Sequence, residues 1–298
     1  MRSLRDILKE ADKKGVAIGH FNISDLGMLN AIAEVARELN VPVIIGTSEG
    51  EREFIETKEA AALVKTLRDE HDQEIFLNAD HTHSLEKIKE AVKAGYDAVL
   101  FDGGKLPMEE NIRQTKEVVE YARSKSEEII VEGELGYIGS GSTIRKEIPK
   151  GAAIKPEDLT TPEEASDFVQ ATGVDLLAPA VGNIHGMLVR RSLGEGGFAE
   201  GYDYPLDTDR IRAVRMAAKV PLVLHGGSGN TDADFLLAID AGVRIIHIST
   251  ELRAAWREGM EKSLKEKPEE IAPYKLMGPA LDEMKKVVYN RLKLFNRL

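Results

Sequence analysis

The sequence predicts an α/β protein folded as a (β/α)8 TIM barrel. Three observations carry that prediction. Eight short apolar runs lack the polar alternation of a half-exposed strand, as expected of parallel strands covered on both faces. Helix-period patterns fill the gaps between them. The junctions from helix back to strand are also alike along the chain. Lys93-Ala94-Gly95, Ala171-Thr172-Gly173 and Asp240-Ala241-Gly242 each end a helical pattern on a glycine, suited to the left-handed position after a helix end. An apolar run follows each within a few residues. Asn40-Val41-Pro42 and Lys219-Val220-Pro221 form a second junction, where proline stops the helix.

The elements follow in order. Leu4, Ile7, Leu8 and Ala11 recur at helical spacing, with Ser3 and Asp6 placed to cap a short amphipathic helix. Strands are expected near 16–21, 43–46, 75–78, 98–101, 129–134, 176–180, 222–225 and 245–248. Ser84 opens the helix that ends at Ala94. Thr161-Pro162-Glu163-Glu164 combines a cap residue, a first-turn proline and acids, and Thr231-Asp232-Ala233-Asp234 repeats the cap-and-acid pattern. An open doubly wound sheet is the alternative, but no Gly-x-Gly-x-x-Gly turn follows the first strand. Residues 1–298 therefore form one barrel domain, with a helical extension from about 268. Two stretches exceed ordinary connectors, 136–158 and the glycine-rich 192–205 with Gly194, Gly196, Gly197 and Gly201. Both follow strand ends on the face where barrel active sites lie, which makes them candidate lids or else plain surface loops.

Composition narrows the function. At 298 residues and 42% hydrophobic, the chain can bury its own core. It has no cysteine, so a disulfide framework is excluded and any zinc site must use His, Asp and Glu. Lack of cysteine fits an intracellular protein. The net charge of −11 argues against a nucleic-acid partner held by a basic surface. No apolar stretch approaches the roughly 20 residues that span a bilayer, and the charged N-terminus has no signal-peptide core. The expectation is a cytoplasmic protein with no membrane partner.

Three of the seven histidines follow short apolar runs: His81 after Asp80, His185 before Gly186, and His225 before Gly226. Three imidazoles at strand ends suit one zinc ion with a coordination position left open for chemistry. His83, two residues after His81, leaves a His-x-His hydrolase pair open as another reading. Gly226-Gly227-Ser228-Gly229 offers backbone N–H groups and a hydroxyl as an anion nest, with a helix start close behind. His247-Ile248-Ser249-Thr250 brings similar small hydroxyl residues to the next strand end. Together they match the phosphate site that barrels build after their last two strands. Glu132 and Glu134 alternate on one strand and so share a face, where two acids need a cation or a role. Asp102, His20 and Ser48 also end predicted strands, while His71 lies in a charged helix end and is expected to be solvated.

Taken in order, these residues resemble the class II, metal-dependent ketose-bisphosphate aldolases, a family that includes fructose-bisphosphate and tagatose-bisphosphate aldolases. The resemblance covers nearly the whole chain. It runs from Gly19-His20-Phe21-Asn22 through Asn78-Ala79-Asp80-His81, Phe101-Asp102-Gly103-Gly104 with Glu109-Glu110-Asn111, and Glu132-Gly133-Glu134-Leu135-Gly136. It continues through His185-Gly186 and Leu224-His225-Gly226-Gly227-Ser228-Gly229 to Ser249-Thr250-Glu251.

The resemblance implies zinc held by His81, His185 and His225, with Glu134 and Asp102 beside it as further ligands or supports, and a monovalent cation as a possible companion. It implies reversible cleavage of a phosphorylated ketose, such as fructose 1,6-bisphosphate, to dihydroxyacetone phosphate and an aldehyde. Zinc would act as the Lewis acid and Asp80 would move the hydroxyl proton. Asn22, Ser48, Gly186, Gly226, Gly227, Ser228, His247, Ile248, Ser249 and Thr250 would bind substrate. The partners implied are a phosphorylated sugar and further copies of the chain, as a homodimer or homotetramer.

Two features depart from the family's pattern. The loop Gly139-Ser140-Gly141-Ser142-Thr143 lacks the usual glutamate, and the next carboxylate is Glu147. His247 stands where the family usually has asparagine. The segment after Gly186 also lacks the usual tyrosine-lysine pair, leaving Arg190 to supply charge. Three readings follow: an aldolase for this or another phosphoketose, a divergent barrel that binds a sugar phosphate without catalysis, and a zinc hydrolase using His83.

Overall fold

Strands that are apolar on both sides need a helical layer outside and a packed interior. The computed structural model has both. It describes residues 2–139, 141, 143–145, 150–152, 155–188 and 206–298. Ser140, Ser142, Glu147, Arg190 and the stretch 192–205 lie outside the described residues.

The chain begins with α1 (Leu4–Lys14), β1 (Ile18–Asn22), α2 (Leu26–Leu39), β2 (Val43–Thr47), α3 (Glu49–Ile55) and α4 (Thr57–His71). Next come β3 (Ile75–Thr82), α5 (Leu85–Ala94), β4 (Ala98–Phe101), α6 (Met108–Lys125), β5 (Ile130–Leu135) and β6 (Ile144–Arg145). They are followed by α7 (Pro162–Thr172), β7 (Leu176–Pro179), β8 (Met187–Leu188), α8 (Thr208–Ala218) and β9 (Leu222–Leu224). The chain ends with α9 (Asp232–Ala241), β10 (Val243–Ile248), α10 (Thr250–Glu266) and α11 (Pro273–Asn296). Eight strands close a parallel barrel in the order β1-β10-β9-β7-β5-β4-β3-β2. They are the eight the sequence predicts. β6, inside the first long stretch, and β8, just before the second, form a small parallel pair, Ile144 beside Met187, that apolar runs did not announce.

Strand alternation divides the core in two. Ile18, Ile44, Phe76, Ala98, Ile130, Leu176, Val223 and Ile245 point inward. Leu4, Ile7, Leu8 and Ala11 of α1 join this inner cluster and stopper the bottom of the barrel. Outward neighbours such as Phe21, Ile45, Leu77 and Ile246 pack under the helices. Two residues beyond five of these inward groups, the same face carries His20, Asn78, Glu132, His225 and His247, all buried.

Glycine ends the predicted helices in the left-handed region, with Gly95 at φ 96° and Gly173 at φ 73°. The proline junctions work differently from expectation. Asn40 and Lys219, at φ 52° and 60°, take the left-handed cap themselves, and the proline follows two residues later, just before the strand. His71 is exposed, as expected.

The C-terminal extension becomes helical at Pro273, five residues later than the sequence suggested. It packs along α10 and α2. Its Phe295 is fully buried, stacks edge-on to Phe235 at 5.2 Å, and accepts a hydrogen bond from the Ala17 N–H through its carbonyl. Phe295→Ala should therefore lower the unfolding free energy by about 3–5 kcal/mol. A shift in the urea midpoint with unchanged slope is the expected reading.

Candidate active site

Continuing each inward face past the apolar plug brings Asn22, Asp80 and Glu134 to the upper end of the barrel, above the buried imidazoles. Asn22 and Asp80 line a cavity of about 370 Å³ there. Local irregularities aim the side chains. The β3–β4 register shifts between Ala79 and Thr82, and His81 takes a positive φ of 39°, uncommon for a residue with a side chain. Arg52, 4% exposed, holds this bend by donating to the Asp80 carbonyl (3.2 Å) and the Thr82 hydroxyl (2.8 Å). Gly226, at φ 60°, lets the chain after β9 pass the Ile184 carbonyl, which a Cβ would meet at 2.2 Å. Asn183 bridges the two loops by donating to the His225 carbonyl at 3.0 Å. The His185 N–H donates to the Ile138 carbonyl.

His81, Glu134, His185 and His225 bring one ligand atom each to within 4.8 Å of one another. His81 Nδ1 lies 2.8 Å from Asp102, and His225 Nε2 lies 2.7 Å from Glu132. Each carboxylate is the natural partner of a ring N–H, which fixes the tautomer and leaves the other nitrogen as a lone pair. Those two nitrogens, His81 Nε2 and His225 Nδ1, face each other at 3.2 Å. Two lone pairs so placed repel unless a cation lies between them. A tetrahedral zinc with nitrogens at its usual bond length would hold them about 3.3 Å apart. Glu134 Oε2 is buried beside them with no hydrogen-bond partner among the described residues. The donor set therefore fits zinc. Asp102 is nearest His81 and falls outside the four-residue group, so its geometry suits an orienting partner more than a ligand. His83 is 58% exposed and also outside the group, contrary to the hydrolase pairing.

Burial and neighbouring charge set the protonation. Burial alone would raise the Asp80 carboxyl, but positive charge at His81, whose own value is raised well above the usual imidazole range, outweighs it and holds Asp80 well below the usual carboxylate range. Burial and the nearby Asp102 push Glu134 up to about 8. Burial keeps His185 and His247 well below the usual imidazole value, and His20 at about 4. These three rings are thus neutral, the state a metal ligand or a hydrogen-bonding wall needs.

Asp80 is held from two sides. Asn22 Nδ2 donates to its Oδ2 at 2.9 Å, and His247 Nδ1 lies 3.5 Å from its Oδ1. His247 stacks flat on His20, with ring centres 3.5 Å apart, and His20 fits only because residue 46 is glycine: a Cβ there would lie 2.1 Å from its ring. Ser48, Gly186, Gly226, Ser228, Ser249 and Thr250 line the cavity with them. Gly227 and Ile248 do not, and the Ile248 side chain packs outward in the helix-facing core. Behind the nest, Glu251 accepts from the Gly229 N–H (3.0 Å) and is balanced by Arg291 (2.9 Å).

Sequence reasoning missed Glu51, Arg52 and Asn183. Ser48-x-x-Glu51 is a capping-box spacing, and both halves of the box are present at the start of α3. That signal reads as a helix start. Nothing in it shows that the same carboxylate reaches Asn22.

The profile of the family described as fructose-bisphosphate aldolase class-II matches residues 2–297. The fructose-bisphosphate aldolase of Staphylococcus aureus is 34% identical over 98% of this chain and 96% of its own length. That of Geobacillus stearothermophilus is 33% identical with the same coverage. Among solved structures, the YdjI aldolase of Escherichia coli K12 superposes with a TM-score of 0.79, at 30% identity, covering 98% of this chain and 96% of that one. A whole-chain profile match, relatives above 30% identity and the same closed barrel place this chain in the class II fructose-bisphosphate aldolase family, a family of lyases.

Proposed function

We propose that this protein is a zinc-dependent aldolase that reversibly cleaves a phosphorylated ketose to dihydroxyacetone phosphate and an aldehyde. One observation carries the metal part of the reading. His81 and His225 each spend one ring nitrogen on a carboxylate and turn the other toward a shared point, with Glu134 and His185 beside it. His81, His185 and His225 would hold the ion and Glu134 would be the fourth protein group. Asp102 and Glu132 would orient the imidazoles. Bound there, zinc would supply Lewis-acid stabilisation of the negative charge that bond cleavage leaves on the ketose half.

The chain's own groups supply the rest. Asp80, kept ionised by its imidazole neighbours, accepts the hydroxyl proton on the carbon that becomes the aldehyde, and returns it in condensation. Asn22 and His247 hold its carboxylate in place. The backbone of Gly226 to Ser228, with Ser249, Thr250 and the first turn of α10, would bind the phosphate, where exposed N–H groups and the helix dipole favour an anion. Gly227 and Ile248 would serve through their backbones only. The non-catalytic alternative has less support, because the buried donor set and the ionised Asp80 are both in place. Among the described residues no helix is long and apolar enough to cross a membrane.

His81→Ala and His225→Ala should each abolish zinc retention and cleavage together. Full turnover by a metal-stripped sample would sink the metal reading. Asp80→Asn keeps the shape and removes the proton acceptor. Cleavage should fall about 10²–10⁴-fold while zinc content stays that of the unaltered protein; near-normal cleavage would exclude Asp80 as the acid–base group. In the same reading the active form is a homodimer or homotetramer, so light scattering should return two or four times the mass of one chain.

A further inference from the structure

We propose that His20 is a positioning residue for the aldolase step: it fixes the plane of the His247 imidazole and, through that ring, the Asp80 carboxylate. The inference rests on the aldolase reading above.

His247 lines the cavity, and its Nδ1 stands 3.5 Å from Asp80 Oδ1. That oxygen is buried and has no hydrogen-bond partner among the described residues. Asn22 holds the other carboxylate oxygen. The second hold on Asp80 therefore comes from an imidazole, whose last side-chain torsion has broad preferences. His247 Nε2 does not stop that rotation, because it too is buried without a partner among the described residues. The plane of the ring is left to packing.

His20 supplies the packing. Residues 20 and 247 pair in register on the neighbouring strands β1 and β10, and their rings lie 3.5 Å apart at an angle of 5°. His225 also touches His247, at 3.9 Å, but tilted by 36°, so the flat support is His20. His20 is itself held. Its Nε2 lies 3.1 Å from Asn78 Nδ2, reached across Gly46 of the intervening strand β2, where any side chain would collide with the ring. Asn78 and Asp80 stand two apart on β3 and share a face. The contacts thus close into a loop: Asn78 to His20, His20 to His247, His247 to Asp80, and back along β3. A side chain locked by packing and by a neighbour's hydrogen bond keeps a reacting group in its productive geometry.

The same residues do not form a second metal site. His20, Asp80 and His247 bring one ligand atom each to within 4.8 Å of one another. An imidazole binds a metal in its ring plane, however, and an ion in one of two parallel planes 3.5 Å apart stands far out of the other. His225 keeps anchors of its own, Glu132 at 2.7 Å and Asn183 on its carbonyl at 3.0 Å. Loss of the His20 ring should therefore leave the zinc ligands in place.

The test uses the full-length, zinc-loaded protein. The substrate is the ketose phosphate that the unaltered protein cleaves fastest in a panel including fructose and tagatose bisphosphates. His20→Ala should lower kcat about tenfold or more, with KM within about twofold and zinc content unchanged. His247→Asn should lower kcat as well. Adding His20→Ala to His247→Asn should then change kcat by less than about twofold, because His20 acts through a ring that is no longer there. A crystal structure of zinc-loaded His20→Ala should show the His247 ring turned by about 30° or more, or in two orientations. His20→Gln, which can still bond Asn78, takes the place of His20→Ala in each measurement if the alanine variant does not fold. An unchanged kcat, an equal loss in both backgrounds, or an unmoved His247 ring overturns the inference. So does loss of zinc or of folding in both His20 variants, which would make His20 a general prop of the barrel. If the unaltered protein cleaves no member of the panel, the aldolase reading falls and this inference falls with it.

Discussion

Five imidazoles and three carboxylates cannot be stripped of water and left to themselves. His20, His81, His185, His225, His247, Asp80, Glu132 and Glu134 crowd the top of the barrel, all but His81 with little or no exposed surface. Such a group is tolerated only when every charge has an opposite and every ring nitrogen has a defined use. The closed barrel meets that demand by spacing. Several strands contribute one or two polar residues to the interior, and another strand supplies the partner: Glu132 for His225, Asp102 for His81, Asn78 for His20. Among the described residues, His81 Nε2, His225 Nδ1 and the unpartnered Glu134 Oε2 converge on one point. In the metal reading, a cation there would satisfy all three.

The scaffold was largely legible in the sequence because its signals are local. Apolar runs, helix periods and Gly95, Gly173 and Gly242 identify the elements without reference to distant residues. Two of the three imidazoles were legible for the same reason: His81 and His225 stand at strand ends, which a parallel barrel brings together, while His185 lies in the loop after β7. Glu132 and Glu134 could be assigned to one face from their spacing alone.

What escaped the sequence depends on contacts between remote segments. Glu51 reads as a capping residue, and its second role exists only because β1 brings Asn22 alongside. Arg52 acquires its purpose from the bend at His81, which no propensity announces. The bond from Asn183 to His225 spans two loops. Asn40 and Lys219 show a subtler failure: the prolines that follow them looked like the stop signal, but the left-handed turn had already been made two residues earlier. The His20–His247 stack joins strands that lie at opposite ends of the chain and become neighbours only when the barrel closes.

The inner cluster beneath the site has a consequence for traffic. Leu4, Ile7 and Leu8 join Ile18, Ile44 and Phe76 in one buried apolar cluster across the floor. In the proposed reading, the ion, the sugar and both fragments of a cleaved sugar would then share the upper opening. A bound sugar would stand between the ion and solvent and would slow its loss.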